Sequence, residues 1–534
     1  MMYSNVYKRS NKWLLGIVML IWMTSPLRAQ GLDDRINDAF MPIADWWEDL
    51  IFTPIIINGV EIPVVLILLL FGALFFTVYF GFINMRLFPT AIKVVRGKYD
   101  HLEQLPIQDD LIDTIKDESK AGEVNHFQAL TTAISGTVGL GNIAMVAVAI
   151  SIGGPGSTFW MILAGLLGMS TKFVECTLGV KYRDISEDGS VHGGPMYYLK
   201  KGLDRRGLKY LGKGLSICFA VLCVGASLGG GNAFQSNQAA AQIITRFGLS
   251  NTMSGTIIGL CFAVVAGIVI LGGIKKIARV TEKVIPFMAA FYLISALAVL
   301  AINYSLLGEA ITLIITEAFT PRATITGGFI GVMIQGFRRA AFSNEAGAGS
   351  ASIAHAAVKT KFPASEGLVA LLEPFIDTVI ICTVTALVIV SYNLSDVFDY
   401  GDVIDNEVLN TLTGERIGGV DLTSAAFDAS IPGFSYLLVI AVVLFAFSTI
   451  LSWSYYGLQS WKFLFGKGKL ADLSFKALFL SFTVLGAAVT LDAVIKFSDA
   501  MILALVFPNM IGLLFLFGEA KKELSRYLTY IKED

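Results

Sequence analysis

Charge is what this sequence has least of. Lysine, arginine, aspartate and glutamate make up 15% of its 534 residues, against 55% hydrophobic ones. A soluble globular chain is charged at about a quarter of its positions, so a folded soluble domain of this length is excluded. Cysteine is also sparse. The five, Cys176, Cys218, Cys223, Cys261 and Cys382, each fall inside an apolar run with no partner at metal-ligand spacing. They read as small packing residues. The four histidines are scattered, and His355, in a stretch rich in glycine and alanine, reads as a polar packing residue. There is no G-x-x-x-x-G-K-[ST] loop and no H-E-x-x-H segment. ATP-driven pumping and zinc hydrolysis are therefore without support. Membrane lipid is an expected partner and nucleic acid is not.

What the sequence has in abundance is apolar runs of about 20 residues, the length that crosses a bilayer. Eleven crossings are expected. The first runs from Ile62 to Ile83, the second from Phe127 to Ile152 and the third from Ser157 to Val180. Further runs are Leu215–Ala240, Ser254–Gly272, Val284–Ile302, Thr326–Ala356, Gly367–Ser391, Phe434–Ser454, Ala477–Ile495 and Ala500–Gly518. The fold class is all-α, a polytopic membrane protein whose transporter domain spans residues 62–518.

The loops alternate in sign. Arg86, Lys93, Arg96 and Lys98 follow the first run, Lys181, Arg183, Lys200 and Lys201 the third, and Lys275, Lys276 and Arg279 the fifth. Lys359 and Lys361 follow the seventh, Lys462, Lys467 and Lys469 the ninth, and Lys521, Lys522 and Arg526 the last. By the positive-inside rule these face the cytoplasm, so the tail 519–534 is cytoplasmic and the N-terminus lies outside. The Asn393–Pro432 loop is acidic, with Asp396, Asp399, Asp402, Asp405, Glu407 and Glu415 against the lone Arg416. At the start, Lys8, Arg9 and Lys12 precede a short apolar run, Trp13 to Met23, and then Leu27-Arg28-Ala29. This is the pattern of a signal peptide over residues 1–29. The acidic segment 30–61 is then extracytoplasmic, and the location is the inner (cell) membrane.

Two runs carry an anomaly. The second contains Ser135-Gly136-Thr137-Val138-Gly139-Leu140-Gly141-Asn142, and the seventh contains Ser343-Asn344-Glu345-Ala346-Gly347-Ala348-Gly349-Ser350. Glycine weakens helices, and backbone freed within lipid survives only where protein or a polar cavity satisfies it. The two segments align Ser on Ser and Gly on Gly, and each opens a block of five runs. That is the plan of a five-plus-five inverted repeat, with a binding site where the first helix of each half breaks. Exposed amides there attract a carboxylate, and carbonyls suit a hard cation such as Na⁺. The alternative is glycine for close helix packing. Gly139-x-Gly141-x-x-Ala144 also matches a dinucleotide fingerprint, but it lacks the preceding strand that fingerprint needs.

Polar residues at membrane depth complete the candidates. Arg338 or Arg339 is expected to pair with Glu373 or Asp377, holding neighbouring helices or gating the inner side. Asn232, Gln235, Ser236 and Asn237 form an amide cluster able to read an amine or a carboxylate. Ser448 and Thr449 either bond back to their own helix or offer two oxygens to a cation.

These residues also carry a resemblance. Ser135–Ala144, Gly153-Gly154-Pro155-Gly156, Lys172-Phe173-Val174-Glu175, Gly193-Gly194-Pro195-Met196-Tyr197-Tyr198, Phe342–Gly347 and Phe447–Gly457 occur in order. Together they resemble the alanine/glycine:cation symporter family, from about the first crossing to the C-terminus. The resemblance implies a LeuT-like fold, a 5+5 inverted repeat with one additional N-terminal transmembrane helix. It implies Na⁺ as coupling ion, no organic cofactor, no enzymatic activity, and uptake of alanine or glycine, with serine or glutamine as alternatives. Position by position it implies a Na⁺ site at Ser135, Val138, Ser448 and Thr449, and a second cation position at Asn142. Substrate contacts are implied at Thr137, Gly139, Leu140, Gly141, Gln235, Asn237, Gln335 and Phe342, with the amides of Leu140 and Gly141 on the carboxylate. An amino-acid-sensing receptor on the same fold, or a channel, is the competing class.

Overall fold

The computed structural model describes residues 32–57, 60–104, 122–186, 189–249, 251, 253–322 and 327–533. The expected signal peptide lies outside the described residues. The first element, α1 (Leu32–Ile51), falls in the acidic segment and buries Phe40, Ala44 and Ile51 along one face. A hairpin of β1 (Pro54–Ile57) and β2 (Val60–Pro63) follows, with Ile55 opposite Ile62. The apolar run expected to begin a crossing at Ile62 is thus still a strand there. Helix α2 (Val64–Tyr79) starts only after Pro63, whose ring supplies no N–H and stands naturally at a helix entrance.

The second run folds as α3 (His126–Thr137) and α4 (Ala144–Gly153), bent by 54° at the glycine segment. Asn125 and Gln128 close a reciprocal cap at the start of α3, at 2.8 and 3.2 Å. Then come α5 (Ser157–Lys181), the small antiparallel pair β3 (Asp184–Ile185) and β4 (Val191–His192), and α6 (Lys209–Phe247). Within α6 the run Gly229–Ala233 forms a π turn. Three successive glycines there let the Trp453 ring approach the backbone. A Cβ on Gly231 would lie 2.0 Å from the indole Cγ.

Helices α7 (Ser254–Ile270) and α8 (Gly273–Ile302) are followed by α9 (Leu307–Phe319), which lies outside the expected crossings. The seventh run breaks into α10 (Gly328–Asn344) and α11 (Ser352–His355). The eighth is α12 (Pro363–Asn393), with a π stretch over Phe375–Cys382. The acidic loop is itself folded, into a three-stranded sheet and α13 (Gly419–Ser430). Helices α14 (Ser435–Phe465), α15 (Lys469–Ala488) and α16 (Leu491–Lys532) complete the chain.

The tenth run, expected to continue to Ile495, stops at Ala488. Thr490 ends it by accepting a hydrogen bond from the Ala493 N–H and so capping the next helix. Among the described residues seven helices are long and apolar enough to cross a membrane, and the bent pair α3–α4 makes an eighth. Helices α2 and α7 are apolar but shorter, at 16 and 17 residues.

The two ends of the bundle differ. At one, Gly401 in the folded loop donates its N–H to the Ser151 carbonyl at 2.7 Å, and Asn406 donates to Asp492 at 2.9 Å. At the other, Arg183 caps the carbonyls of Ala356, Val358 and Thr360, and Lys181 pairs with Glu519 and Glu523 of the tail at 2.8 and 2.9 Å.

Candidate functional site

Between Thr137 and Ala144 the α-helical ladder gives way to one 3-10 turn, Leu140–Asn142, and to side-chain partners. Asn142 accepts a hydrogen bond from the Gly139 N–H at 2.9 Å, and Gln235 accepts one from the Leu140 N–H at 3.0 Å. Trp453 donates to the Gly136 carbonyl at 3.2 Å, and Thr423 of α13 donates to the Ile143 carbonyl at 2.9 Å. Gln235, Trp453 and Thr423 come from three other elements, so the break is held in place by the fold. Val138 ends α3 at ψ 86°, which turns its carbonyl out of the helical direction.

Helix α14 lies along α3 and supplies the next layer. Ser135 donates to the Ser448 carbonyl at 2.6 Å and Ser452 to the Thr132 carbonyl at 2.9 Å. The Ser448 hydroxyl bonds back to Phe445 at 2.9 Å. The Thr449 hydroxyl has no hydrogen-bond partner among the described residues and is buried. It lies directly over Gly139, where an added Cβ would approach it to 2.3 Å. A buried hydroxyl without a partner is costly, and here it stands over Gly139, inside the break.

The second break meets the first. After Asn344, Glu345 adopts φ 55°, and Gly347 and Gly349 adopt φ 97° and 84°, a left-handed region that glycine enters without strain. The Gly347 N–H donates to Glu175 at 2.9 Å, and Asn509 bridges Glu175 and the Gly347 carbonyl at 2.7 and 2.8 Å. Tyr198 donates in turn to Asn509, and Ser350 to Glu345. The two breaks join at Asp377. Its carboxylate accepts from Asn142 at 2.6 Å, from Ser343 at 2.8 Å and from Thr378 at 2.7 Å. The Phe342 ring closes the space, edge-on to Phe234 at 5.2 Å and within 3.6 Å of a Cβ built on Gly141.

Several expected positions are therefore gathered at one place: Ser135, Gly139, Leu140, Gly141, Asn142, Gln235, Phe342, Ser448 and Thr449. Others are not. Asn237 turns away, donating to the Gly486 and Val489 carbonyls at 3.1 and 2.6 Å to hold the end of α15. Gln335 packs against Gly153, at the far end of α4 from the break. The Thr137 hydroxyl faces back into its own helix, towards the Ala133 and Ile134 carbonyls at 3.4 Å.

Against this geometry the comparisons with known proteins are direct. A family model described as the sodium:alanine symporter family matches residues 51–534. The chain belongs to that family. A sodium/alanine symporter, AgcS, of Methanococcus maripaludis is 37% identical over 87% of this chain and 94% of its own. A putative sodium/proton-dependent alanine carrier protein of Bacillus subtilis is 35% identical over 80% of this chain and 84% of its own. A probable sodium/glutamine symporter, GlnT, of Bacillus subtilis is 30% identical over 84% and 85%. As a member of the sodium:alanine symporter family the chain is a multi-pass membrane transporter of the sodium-coupled amino-acid class, and not an enzyme.

The intramembrane charges of this symporter pair differently from the sequence expectation. Arg338 and Arg339 do not reach Glu373 or Asp377. They share Asp499 of α16, at 2.8 and 2.7 Å, and Arg338 also binds Glu48 of α1 at 2.7 Å. Glu373 pairs instead with the fully buried Lys172 at 3.2 Å and with His355 at 3.5 Å. His355 is more than a packing residue. It bonds Glu366 at 2.5 Å, and Glu366 also holds His126 at the start of α3. This chain of acidic and basic side chains ties α3, α5, α11 and α12 together beyond the breaks.

Sequence reasoning missed Trp453, Glu175, Asn509 and Thr423 as supports of the breaks. Asp377 was visible as a charge at membrane depth, but its partners were assigned by sign alone.

Proposed function

We propose that this chain takes up a small neutral amino acid, alanine or glycine, together with Na⁺, by alternating access on a LeuT-like bundle. The observation that carries the reading is the meeting of two broken helices around buried oxygens, one of which, the Thr449 hydroxyl, has no hydrogen-bond partner among the described residues. A Na⁺ ion would take that hydroxyl with the carbonyls of Ser135 and Val138 and the hydroxyl of Ser448. A second cation would sit at Asn142, where the Asp377 carboxylate and the Ser343 hydroxyl supply the partners that sequence left unnamed. Both ligand sets are hard oxygens, as an alkali cation needs.

The substrate carboxylate would lie on the amides of Leu140 and Gly141. Gln235 holds the Leu140 N–H at 3.0 Å, so its carbonyl stands in for a carboxylate oxygen and must move aside when substrate arrives. Phe342 and Phe234 limit the side chain to small groups, which favours alanine or glycine over glutamine. Helices α2 and α7 and the broken pair α10–α11 would bring the crossings to eleven, as two inverted blocks of five after α2. With the basic loops inside, α1 and the folded acidic loop are extracytoplasmic and the tail is cytoplasmic.

The energetics suffice. One Na⁺ moving through ~100 mV supplies ~2.3 kcal/mol, and a tenfold gradient adds ~1.4 kcal/mol. Together they support an accumulation of several hundredfold without ATP. Purified protein in liposomes should accumulate labelled alanine only when Na⁺ is higher outside. Equal uptake with a K⁺ gradient in its place would exclude the reading, and binding without any uptake would favour the receptor.

A further inference from the structure

We propose that Glu48 is a positioning residue for the outer arginine pair, and that α1 is a strap limiting how far the outer side of the transporter opens. The proposal rests on the alternating-access reading and its orientation. Along its 20 residues α1 is tied at four successive points. Asp33 accepts from the Thr256 hydroxyl and the Gly255 N–H at the start of α7, at 2.6 and 3.2 Å. Asn37 accepts from the Thr490 N–H and hydroxyl, where α15 passes to α16, at 3.0 and 2.9 Å. Asp45 pairs with Lys496 of α16 at 2.8 Å, and Glu48 pairs with Arg338 of α10 at 2.7 Å. Beneath these ties Phe40 packs edge-on against Phe497 at 5.1 Å. One helix thus fastens the outer ends of α7, α15 and α16 and, through Arg338, the middle of α10.

The last tie differs in kind from the others. Arg338 and Arg339 converge on a single buried carboxylate, Asp499, and Arg339 is 1% exposed. Two guanidiniums against one carboxylate leave a positive charge unbalanced in a water-poor region. Glu48 supplies the missing negative charge from outside the bundle. Arg338 meets Asp499 with its Nε and Glu48 with its Nη2, while the Phe52 ring lies 3.9 Å from its guanidinium carbon. Both edges of the fork are therefore fixed, one by α16 and one by α1. Outward opening must part α10 from α16, which breaks this cluster. Helix α1 lies ahead of the stretch 51–534 that the family model covers, save its last residue. The strap thus lies outside the stretch that the family model matches.

The test uses the full chain with its five cysteines replaced and one introduced by Gln335→Cys, on the outer half of α10. Labelling from outside by a membrane-impermeant thiol reagent reports opening. With Glu48→Gln the labelling rate should rise at least threefold and the KM for external alanine should fall with kcat. Glu48→Asp should restore much of the original behaviour. In an Arg338→Met background the further change Glu48→Gln should do nothing, because Glu48 acts through Arg338. Unchanged labelling in correctly folded Glu48→Gln protein, or an effect that persists in the Arg338→Met background, overturns the proposal. Labelling is read without transport, so a failure of sodium-driven uptake in the unsubstituted protein would count against the symport reading and leave this comparison interpretable.

Discussion

Thr449→Ala separates a ligand from a structural hydroxyl, because the two roles predict opposite consequences. The Thr449 hydroxyl has no hydrogen-bond partner among the described residues and lies against Gly139. Removing it breaks no protein hydrogen bond and relieves a buried unsatisfied group, worth about 1–3 kcal/mol. The lost methyl returns about 0.8 kcal/mol of that, so thermal stability without sodium should be unchanged or slightly higher. If the hydroxyl holds Na⁺, the variant loses one contact to a charged ligand, about 1.5–3 kcal/mol. That converts to a rise of about ten- to hundredfold in half-saturating Na⁺. Alanine uptake into liposomes, titrated with external Na⁺, reads this directly, and the preference among alanine, glycine and serine should stay as it was. A half-saturation point within twofold of the original, in protein that melts normally, would refute the assignment of Thr449 to the site.

Other substitutions test the rest of the account. Asp377→Asn keeps the shape but removes the carboxylate placed between Asn142 and Ser343; Na⁺ dependence of alanine binding, followed by calorimetry, should weaken at least tenfold, and a normal Na⁺ titration would contradict the second cation position. Gly231→Ala drives a methyl to 2.0 Å from Trp453, an overpacking of about 1–3 kcal/mol, so the melting temperature should fall, whereas Gly214→Ala, with open space around it, should not lower it. Lys172→Met leaves the fully buried Glu373 with His355 as its remaining ion-pair partner among the described residues, and breaking such a buried pair costs about 3–5 kcal/mol; the double change Lys172→Met with Glu373→Gln should recover part of the loss in a melting assay, and no recovery would show that the pair is not coupled.

The helices and the breaks were legible in sequence because their signals are local. Apolar length announces a crossing, and three glycines within six residues announce a fault in it. Ser135 and Asn142 were candidates because they stand in that fault, and Thr449 because two adjacent hydroxyls stand out in an apolar run; the structure places Thr449 over Gly139. The supports of the break were not legible, because they arrive from elsewhere in the chain. Asn509 reaches Gly347 across 162 positions and Thr423 reaches Ile143 across 280, and neither stands in a pattern that marks it. Charge pairing failed for a related reason. Sign identifies possible partners for Arg338, but only the packing of α1 and α16 against α10 selects Glu48 and Asp499 over Asp377. Asn237 was misplaced because a polar cluster on a helix has more than one face: Gln235 points to the break and Asn237, two residues on, to α15.

The position of bound ligand is the most direct measurement of what the two broken helices do. A structure determined with bound sodium and alanine should place a cation between the Val138 carbonyl and the Thr449 hydroxyl, with the alanine carboxylate on the Leu140 and Gly141 amides and Gln235 moved off Leu140. Ligand bound away from both broken helices, with Gln235 still on the Leu140 amide, would contradict it.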